Sequence, residues 1–207
     1  MAEVTGGLHT LEDIRKAIVD LRNQYKRVHW TQFAYEDANV GTVSLRPGAS
    51  APDLIQLRGS NVYAYAFNGG VTTEQLFGAI EVPHSADENA TITFHVHWMP
   101  TSAAAGNVRW ALEYYLVSPD TTIPAAANAV VVVQAAAGIA WRDQRADFPT
   151  IPQGADPALV IGSQLVFRFY RNPNHGDDTY AADACVHGTI GFHYQINSVG
   201  SRQITVK

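Results

Sequence analysis

The sequence predicts a mainly β protein, an antiparallel β-sandwich of jelly-roll type preceded by one N-terminal α-helix. Two observations support this prediction. Apolar residues recur at alternating spacings of three and four before residue 30, and at a period of two beyond about residue 40. Many short period-two runs then follow, separated by turn sequences with little helical pattern between them, which is typical of sandwiches and jelly rolls.

The size and composition of the chain fit one large β domain with a short appendage. Its 207 residues are 46% hydrophobic, and only 16% are charged, against about 25% in average soluble proteins. We therefore expect a folded chain, part of whose surface is covered by partners. The expected division is an N-terminal helix and attachment segment, residues 1–30, followed by a β-sandwich domain, residues 31–207.

The predicted helix spans residues 11–28 and has one apolar stripe. Thr10 is a suitable N-cap, and Glu12 and Asp13 lie in the first turn, where the helix dipole favours negative charge. The spacing fits a short coiled-coil seam, a docking face for another protein, or a helix packed on its own domain. We expect the stripe to be the oligomer or partner interface. The stripe residues are Leu11, Ile14, Ile18, Leu21, Tyr25 and Val28.

The clearest strand signals are segments 91–98, 108–116 and 186–196, in which apolar and polar residues alternate. Each is predicted to be a strand with one buried side. Trp98, Trp110, Phe167 and Phe169 occupy the apolar phases of their strands and are expected to be buried. Further predicted strands are 42–45, 55–57, 62–67, 76–82, 130–134, 159–161 and 165–170.

Residues 125–140 form a run dominated by Ala and Val. In a monomer such a run would be a buried strand with its flanking loop. In an oligomer its small side chains would let subunits approach closely. Both interpretations stay open at this point.

Charge and cysteine content exclude several classes of protein. The formal net charge is -5, and residues 31–207 hold nine basic and fifteen acidic side chains, so we expect no nucleic-acid partner. Cys185 is the single cysteine, so there is no intrachain disulfide. The first residues lack a signal-peptide pattern, and the longest apolar run is shorter than the ~20 residues of a membrane span. We expect a soluble, unprocessed chain made in a reducing cytoplasm, with no membrane partner.

The strongest enzyme signal is the pair His95 and His97, because two histidines two apart on a strand project from the same face. With His193 and a carboxylate they would form a cupin-like metal site. The cupin pattern expects a glutamate four or five residues after the second histidine, where this chain has Thr101 and Ser102. We expect His95, His97 and His193 to hold no catalytic ion.

Two other features carry weaker signals for chemistry. The polar segment 175–178, which contains Asp177 and Asp178, has oxygen ligands for calcium but no proper EF-hand spacing, so it equally fits a loop without an ion. Cys185, beside His187, is interpreted as a buried thiol rather than a nucleophile. Phosphate-binding loops, nucleophile elbows and zinc-protease motifs are absent from the sequence. We therefore expect no enzyme activity and no cofactor.

Aromatic residues outside the apolar phases are candidates for interfaces or sugar contacts. A glycan-binding protein is expected to expose aromatic side chains such as Trp141 or Tyr180 in a pocket. The candidate surface aromatics are Trp30, Tyr63, Tyr65 and Trp141.

Several short segments of the β domain form a pattern when they are taken together. They are 45–48 (LRPG), 51–53 (APD), 94–98 (FHVHW), 106–110 (GNVRW), 112–114 (LEY), 191–195 (GFHYQ) and 200–203 (GSRQ). In this order, over most of residues 42–207, they resemble a family of tailed-bacteriophage virion proteins. The resemblance implies a place in a virus particle rather than a reaction, in the manner of head-decoration, neck and fibre proteins, where trimeric jelly rolls are common.

From this resemblance we expect a non-enzymatic structural protein located in the virion after synthesis in the host bacterial cytoplasm. Its expected partners are copies of itself, as a homotrimer, and capsid, neck or tail proteins. The alternative is a receptor- or glycan-binding fibre tip, and the third hypothesis is the cupin-like metal enzyme.

Overall fold

The computed structural model describes residues 10–30, 34–70, 72–88, 90–151 and 160–196. The chain divides into two compact units, Met1–Ala34 and Tyr35–Lys207. The first contains the helix α1, Leu11–Trp30, as predicted. Thr10 caps it, because the Thr10 Oγ1 accepts the Asp13 N–H at 3.1 Å and donates to the Asp13 Oδ2 at 2.7 Å. Among the described residues, no helix has both the length and the apolar character of a membrane span.

The apolar stripe of α1 is open to solvent along its described part. Leu11 is 85% exposed, Ile18 60% and Leu21 66%, and Ile14 is exposed as well. The side chains of Tyr25 and Val28 lie outside the described residues.

In the described residues, eleven strands form two antiparallel sheets. Sheet A contains β1 (Ala34–Gly41), β3 (Asp53–Gln56), β4 (Tyr63–Phe67), β6 (Ile92–Pro100), β9 (Gln144–Asp147) and β11 (Ala184–Ile196). Sheet B contains β2 (Arg46–Pro47), β5 (Gln75–Glu81), β7 (Asn107–Val117), β8 (Asn128–Ala135) and β10 (Gln164–Arg171). The strand order is β3-β4-β11-β6-β9 in sheet A, with β1 also paired to β11, and β2-β5-β10-β7-β8 in sheet B.

The last eight strands follow a jelly-roll path. They pair as nested partners, β4 with β11, β5 with β10, β6 with β9 and β7 with β8. The chain therefore behaves as one long hairpin rolled up so that successive pairs fall in alternate sheets. This confirms the predicted antiparallel sandwich of jelly-roll type with a helix before it.

The core lies between the sheets and is rich in aromatic rings. Trp98, Trp110, Phe167 and Phe169 are all buried, as their phase predicts. Trp110 stacks on Phe169 with ring centroids 5.2 Å apart, and Phe67 meets both rings edge-on at 5.4 Å.

Two predicted strands are wrong. Residues 42–45 contain a 3-10 turn, Thr42–Ser44, in which the buried Thr42 donates its hydroxyl to the Gly188 carbonyl and the Leu45 N–H returns to the Thr42 carbonyl. In the predicted strand 159–161, the described residues 160 and 161 belong to a turn that closes with the Ser163 N–H on the Val160 carbonyl. Residue 159 lies outside the described residues.

Three strands were not predicted, because they lie at sheet edges or are very short. β9 is mostly polar, β1 has Glu36, Asp37 and Asn39 among its eight residues, and β2 has two residues. Polar and charged residues are common at edges, where they discourage pairing with other chains. The Ala- and Val-rich run forms β8, a half-buried edge strand of sheet B rather than a fully buried strand.

A buried ion pair joins the two sheets where β10 ends. Arg171 and Asp178 are both almost fully buried, with Arg171 Nη2 2.7 Å from Asp178 Oδ1 and Nε 2.9 Å from Oδ2. The remaining N–H groups of Arg171 donate to the carbonyl oxygens of Phe67, Tyr180 and Ala182. All five guanidinium donors are therefore used, which is the condition under which a buried charge is tolerated.

This ion pair also explains the polar segment 175–178. The Asp178 carboxylate accepts from Arg171 and, at 3.0 Å, from the Arg109 N–H. Asp177 is exposed, with Oδ2 3.3 Å from the His175 Nδ1. The two carboxylates therefore contact different neighbours.

We predict that Arg171→Met lowers the free energy of unfolding by about 3–5 kcal/mol, because it leaves the Asp178 carboxylate buried without its partner. Equilibrium urea unfolding measures this loss. The matched control is Arg145→Met, which removes an exposed arginine 2.9 Å from Asp147 and should change stability by less than about 1 kcal/mol. Equal stabilities of the two variants would contradict the assignment.

Candidate functional site

Four histidines lie in a row on the outer face of sheet A. The row, called the histidine row below, runs His193, His95, His97, His187, with ring centroids 4.5, 5.7 and 6.3 Å apart in turn. The alternation of β6 places His95 and His97 on the face opposite its core residues, as predicted. β11 supplies His187 and His193 beside them.

His95 is buried although it faces away from the core. It is 3% exposed, and the residue opposite it on β11 is Gly191. A Cβ at Gly191 would collide with the Asn39 side chain of β1 and would lie 3.0 Å from the His95 Cε1. The missing side chain at residue 191 therefore gives β1 and the His95 ring room to pack together.

Each end of the histidine row meets one carboxylate. At the β1 end, Asp37 Oδ1 lies 2.5 Å from His193 Nδ1. At the other end, Asp143 Oδ1 lies 3.4 Å from His97 Nδ1 and 3.2 Å from His187 Nε2. The row is therefore divided between two acidic groups.

Burial governs the protonation of two of these histidines. It lowers the pKa of His95, and the nearby His193 lowers it further, while Asp37 opposes the shift. Burial likewise lowers the pKa of His187 against the opposing effect of Asp143. In both residues Nδ1 is buried and has no hydrogen-bond partner among the described residues. Both imidazoles are therefore favoured in their neutral form, which keeps a lone pair available.

Part of this site was anticipated from the sequence and part was missed. His95 and His97 do share a face, but they turn to different carboxylates. His95 instead groups with His193 and Asp37, whose potential ligand atoms all lie within 4.8 Å of one another. Asp37 was missed because its strand, β1, has no clear alternation and precedes His95 by more than fifty residues. That these histidines hold no catalytic ion stays a prediction.

Cys185 is buried on β11, as interpreted from the sequence. Burial raises the pKa of its thiol to about 12, and the nearby Asp183 adds to the shift. A thiol with this pKa is protonated at neutral pH and is a poor nucleophile.

The candidate surface aromatics have different environments. Tyr180 is buried and its hydroxyl donates to the Ser102 carbonyl at 3.1 Å, so it is not the exposed aromatic that a glycan-binding protein would present. Trp141 and Tyr65 are half-buried and Tyr63 is exposed. The Trp30 side chain lies outside the described residues.

A second candidate site is a cleft of ≈ 260 Å³ on the outer face of sheet B. Arg168 and Glu113 lie on its wall 3.0 Å apart, and Tyr170 donates its hydroxyl to the same carboxylate at 3.0 Å. The cleft combines aromatic and aliphatic surface with one fixed ion pair. Its lining residues are Phe77, Glu113, Tyr115, Ala127, Val166, Phe167 and Arg168.

No protein-family model matches the chain, and no curated protein does. Among solved structures, the chain is similar to the CBM36-1 domain of a multidomain xylanase from the hindgut metagenome of Trinervitermes trinervoides. The TM-score is 0.45 and the sequence identity is 11%, and the alignment covers 76% of this chain and 96% of that one. It is also similar to a chain of infectious bursal disease virus, Gx strain, with TM-score 0.41 and 14% identity over 84% of this chain and 34% of that one.

A third similar structure is the enzymatically active domain of tailspike protein 4 from bacteriophage CBA120, with TM-score 0.37 and 10% identity. The alignment covers 80% of this chain and 20% of that one. The chain thus spans about a third or less of the two viral chains.

We predict that His187 makes the fold less stable in mild acid. Its pKa in the folded chain is below the unfolded value of 6.5. Between these two values the unfolded chain binds a proton that the folded chain does not. The contribution of His187 to the free energy of unfolding is therefore complete above pH 6.5. It is lost as the pH falls from 6.5 through the pKa of His187 in the folded chain.

Urea unfolding at pH 7.5 and 5.5, with EDTA present, tests this prediction. The loss of stability between the two pH values should be smaller in His187→Gln than in the parent chain. The control His175→Gln, at an exposed loop histidine, should keep the full loss. An unchanged pH dependence in His187→Gln would contradict the prediction.

Proposed function

We propose that this chain is a non-enzymatic structural subunit of a tailed-phage particle, which decorates the head or neck or forms a short fibre. The observation that carries the proposal is the exposed apolar stripe of α1. The resemblance of segments 45–48, 94–98, 106–110 and 191–195 to phage virion proteins supports a location in the virion.

The stripe needs a partner for physical reasons. Isolated helices of this length are marginal in water, and most helices gain their stability by packing an apolar face. In α1 that face exposes Leu11, Ile14, Ile18 and Leu21. The alternating spacing of three and four allows the stripes of several copies to interlock as in a coiled coil. We propose that three copies associate through this stripe and that the trimer then attaches to a capsid, neck or tail protein.

The chemistry of the sandwich supports a role without catalysis. The single thiol is buried and protonated. The carboxylate of Asp178 is bound by Arg171, and Glu113 is paired with Arg168. These groups serve packing and surface order rather than a reaction.

We predict that Ile18→Lys dissociates the assembly, because it places a charge in the middle of the stripe. Light scattering after size exclusion should give three times the chain mass of 22.5 kDa for the parent and the single mass for the variant. The matched control is Val19→Lys, which replaces another exposed apolar residue, one position away from the stripe, and should stay trimeric.

Two outcomes would contradict this prediction. One is a monomeric parent chain. The other is a trimer that Ile18→Lys leaves intact, since the sandwich would then hold the copies together without α1.

The cleft on sheet B favours a second candidate function, a glycan- or receptor-binding fibre tip. Phe77 and Val166 are exposed there and Tyr115 is half-buried, so apolar surface is open beside the Glu113–Arg168 pair. Sugar rings have apolar faces and polar edges, and an aromatic surface beside fixed polar groups suits both.

If the cleft binds a glycan, we predict that Phe77→Ala weakens binding to bacterial surface polysaccharides about tenfold, because it removes an exposed aromatic ring that the bound sugar would cover. A polysaccharide array followed by titration measures this. Tyr63→Ala, at an exposed tyrosine of β4 in sheet A, is the control and should bind normally. An array without any ligand would reject this candidate.

A further inference from the structure

We propose that Asp37, His95 and His193 form a binding site for a divalent transition-metal ion such as Zn²⁺, at the β1 end of the histidine row. Their ligand atoms all lie within 4.8 Å of one another. One carboxylate and two imidazoles are a donor set that suits zinc, with a further position left for water. The three residues come from the neighbouring strands β1, β6 and β11.

His95 is the fixed member of this site. It is 3% exposed, and its Nδ1 is buried with no hydrogen-bond partner among the described residues. Buried polar atoms are normally paired, so a lone one calls for an explanation. A metal ion takes the lone pair of a neutral imidazole, so an ion bound through Nδ1 would supply the missing partner.

The other two residues have the freedom to close around an ion. The side chain of His193 is 30% exposed and that of Asp37 is 39% exposed. Zinc bonds of about 2.0–2.1 Å in a tetrahedron place ligand atoms about 3.3 Å apart, so no pair of ligand atoms has to approach by more than about 1.5 Å. The His193 ring, now stacked on His95 with 22° between the planes, must also turn so that its lone pair points at the ion.

The charged groups around this end of the row are paired: Asp37 contacts His193 within the site, and Asp147, opposite His95 on β9, is held by Arg145 at 2.9 Å. His97 is turned to Asp143. His97 therefore offers a matched control, since it is in the same row and on the same strand as His95 but does not belong to the site.

The ion would act on structure rather than on a substrate. β1 is the strand by which the chain enters sheet A, and it pairs with β11. An ion held by Asp37 on β1 and by histidines of β6 and β11 would fasten this strand to the sheet. This role agrees with the expectation that the histidines hold no catalytic ion.

The test titrates Zn²⁺ alone into the full chain after stripping with EDTA, using calorimetry and thermal unfolding. We expect one ion per chain and a Tm raised by about 5–10 °C when Zn²⁺ is at a hundredfold excess over its Kd. Asp37→Asn and His193→Ala should each weaken binding at least about tenfold, whereas His97→Ala should bind as the parent does. Unchanged Tm values of the variants without metal establish that they fold.

Co²⁺ gives an independent readout, because tetrahedral coordination produces visible absorption bands that should be lost in Asp37→Asn and His193→Ala. Either of two results would overturn the proposal. One is a parent chain that binds no Zn²⁺, and the other is equal binding by all four proteins, which would place the ion on other histidines.

Discussion

The buried pair of Arg171 and Asp178 is the interaction on which the arrangement of the two sheets depends. Arg171 ends β10 in sheet B, and its guanidinium reaches the Phe67 carbonyl of β4 in sheet A and two carbonyls of the segment before β11. A charge at this depth is stable only with all its donors satisfied, so the chain between β10 and β11 has little freedom. The start of β11 is fixed in this way. Its register then decides which face carries His187 and His193.

The sequence was sufficient for the fold class, because alternation over long strands specifies which side is buried. The strands and turns that the sequence did not predict were missed for physical reasons. The edge strands β1 and β9 turn only small or few apolar residues toward the core, Ala38 and Val40 from β1 and Ala146 from β9, which is too short a pattern to reveal a strand. The 3-10 turn at Thr42 is held by a hydrogen bond to Gly188, far away in sequence. The Arg171 pair had a partial signal, since Arg171 continues the inward phase of Leu165, Phe167 and Phe169. Which carboxylate it meets depends on the folded path of the following loop.

The candidate sites were likewise predictable where they depend on local alternation, and not where they depend on contacts between distant segments. The shared face of His95 and His97 comes from local alternation, which a sequence displays. Their grouping with His193, Asp37 and Asp143 requires three strands and a loop to meet, and this is tertiary information. The outcome is three surfaces of different chemistry: an apolar stripe on α1, an ionisable row on sheet A and an aromatic cleft on sheet B. The apolar stripe is the surface best suited to holding subunits together, whereas the other two are suited to small ligands.

We propose that the chain is a structural subunit of a phage particle, and imaging that particle is the most direct test. Cryo-electron microscopy of purified virions, with the chain located by its jelly-roll shape, should show it at many symmetric positions with α1 against a neighbouring subunit. Absence of the chain from purified virions would contradict the account.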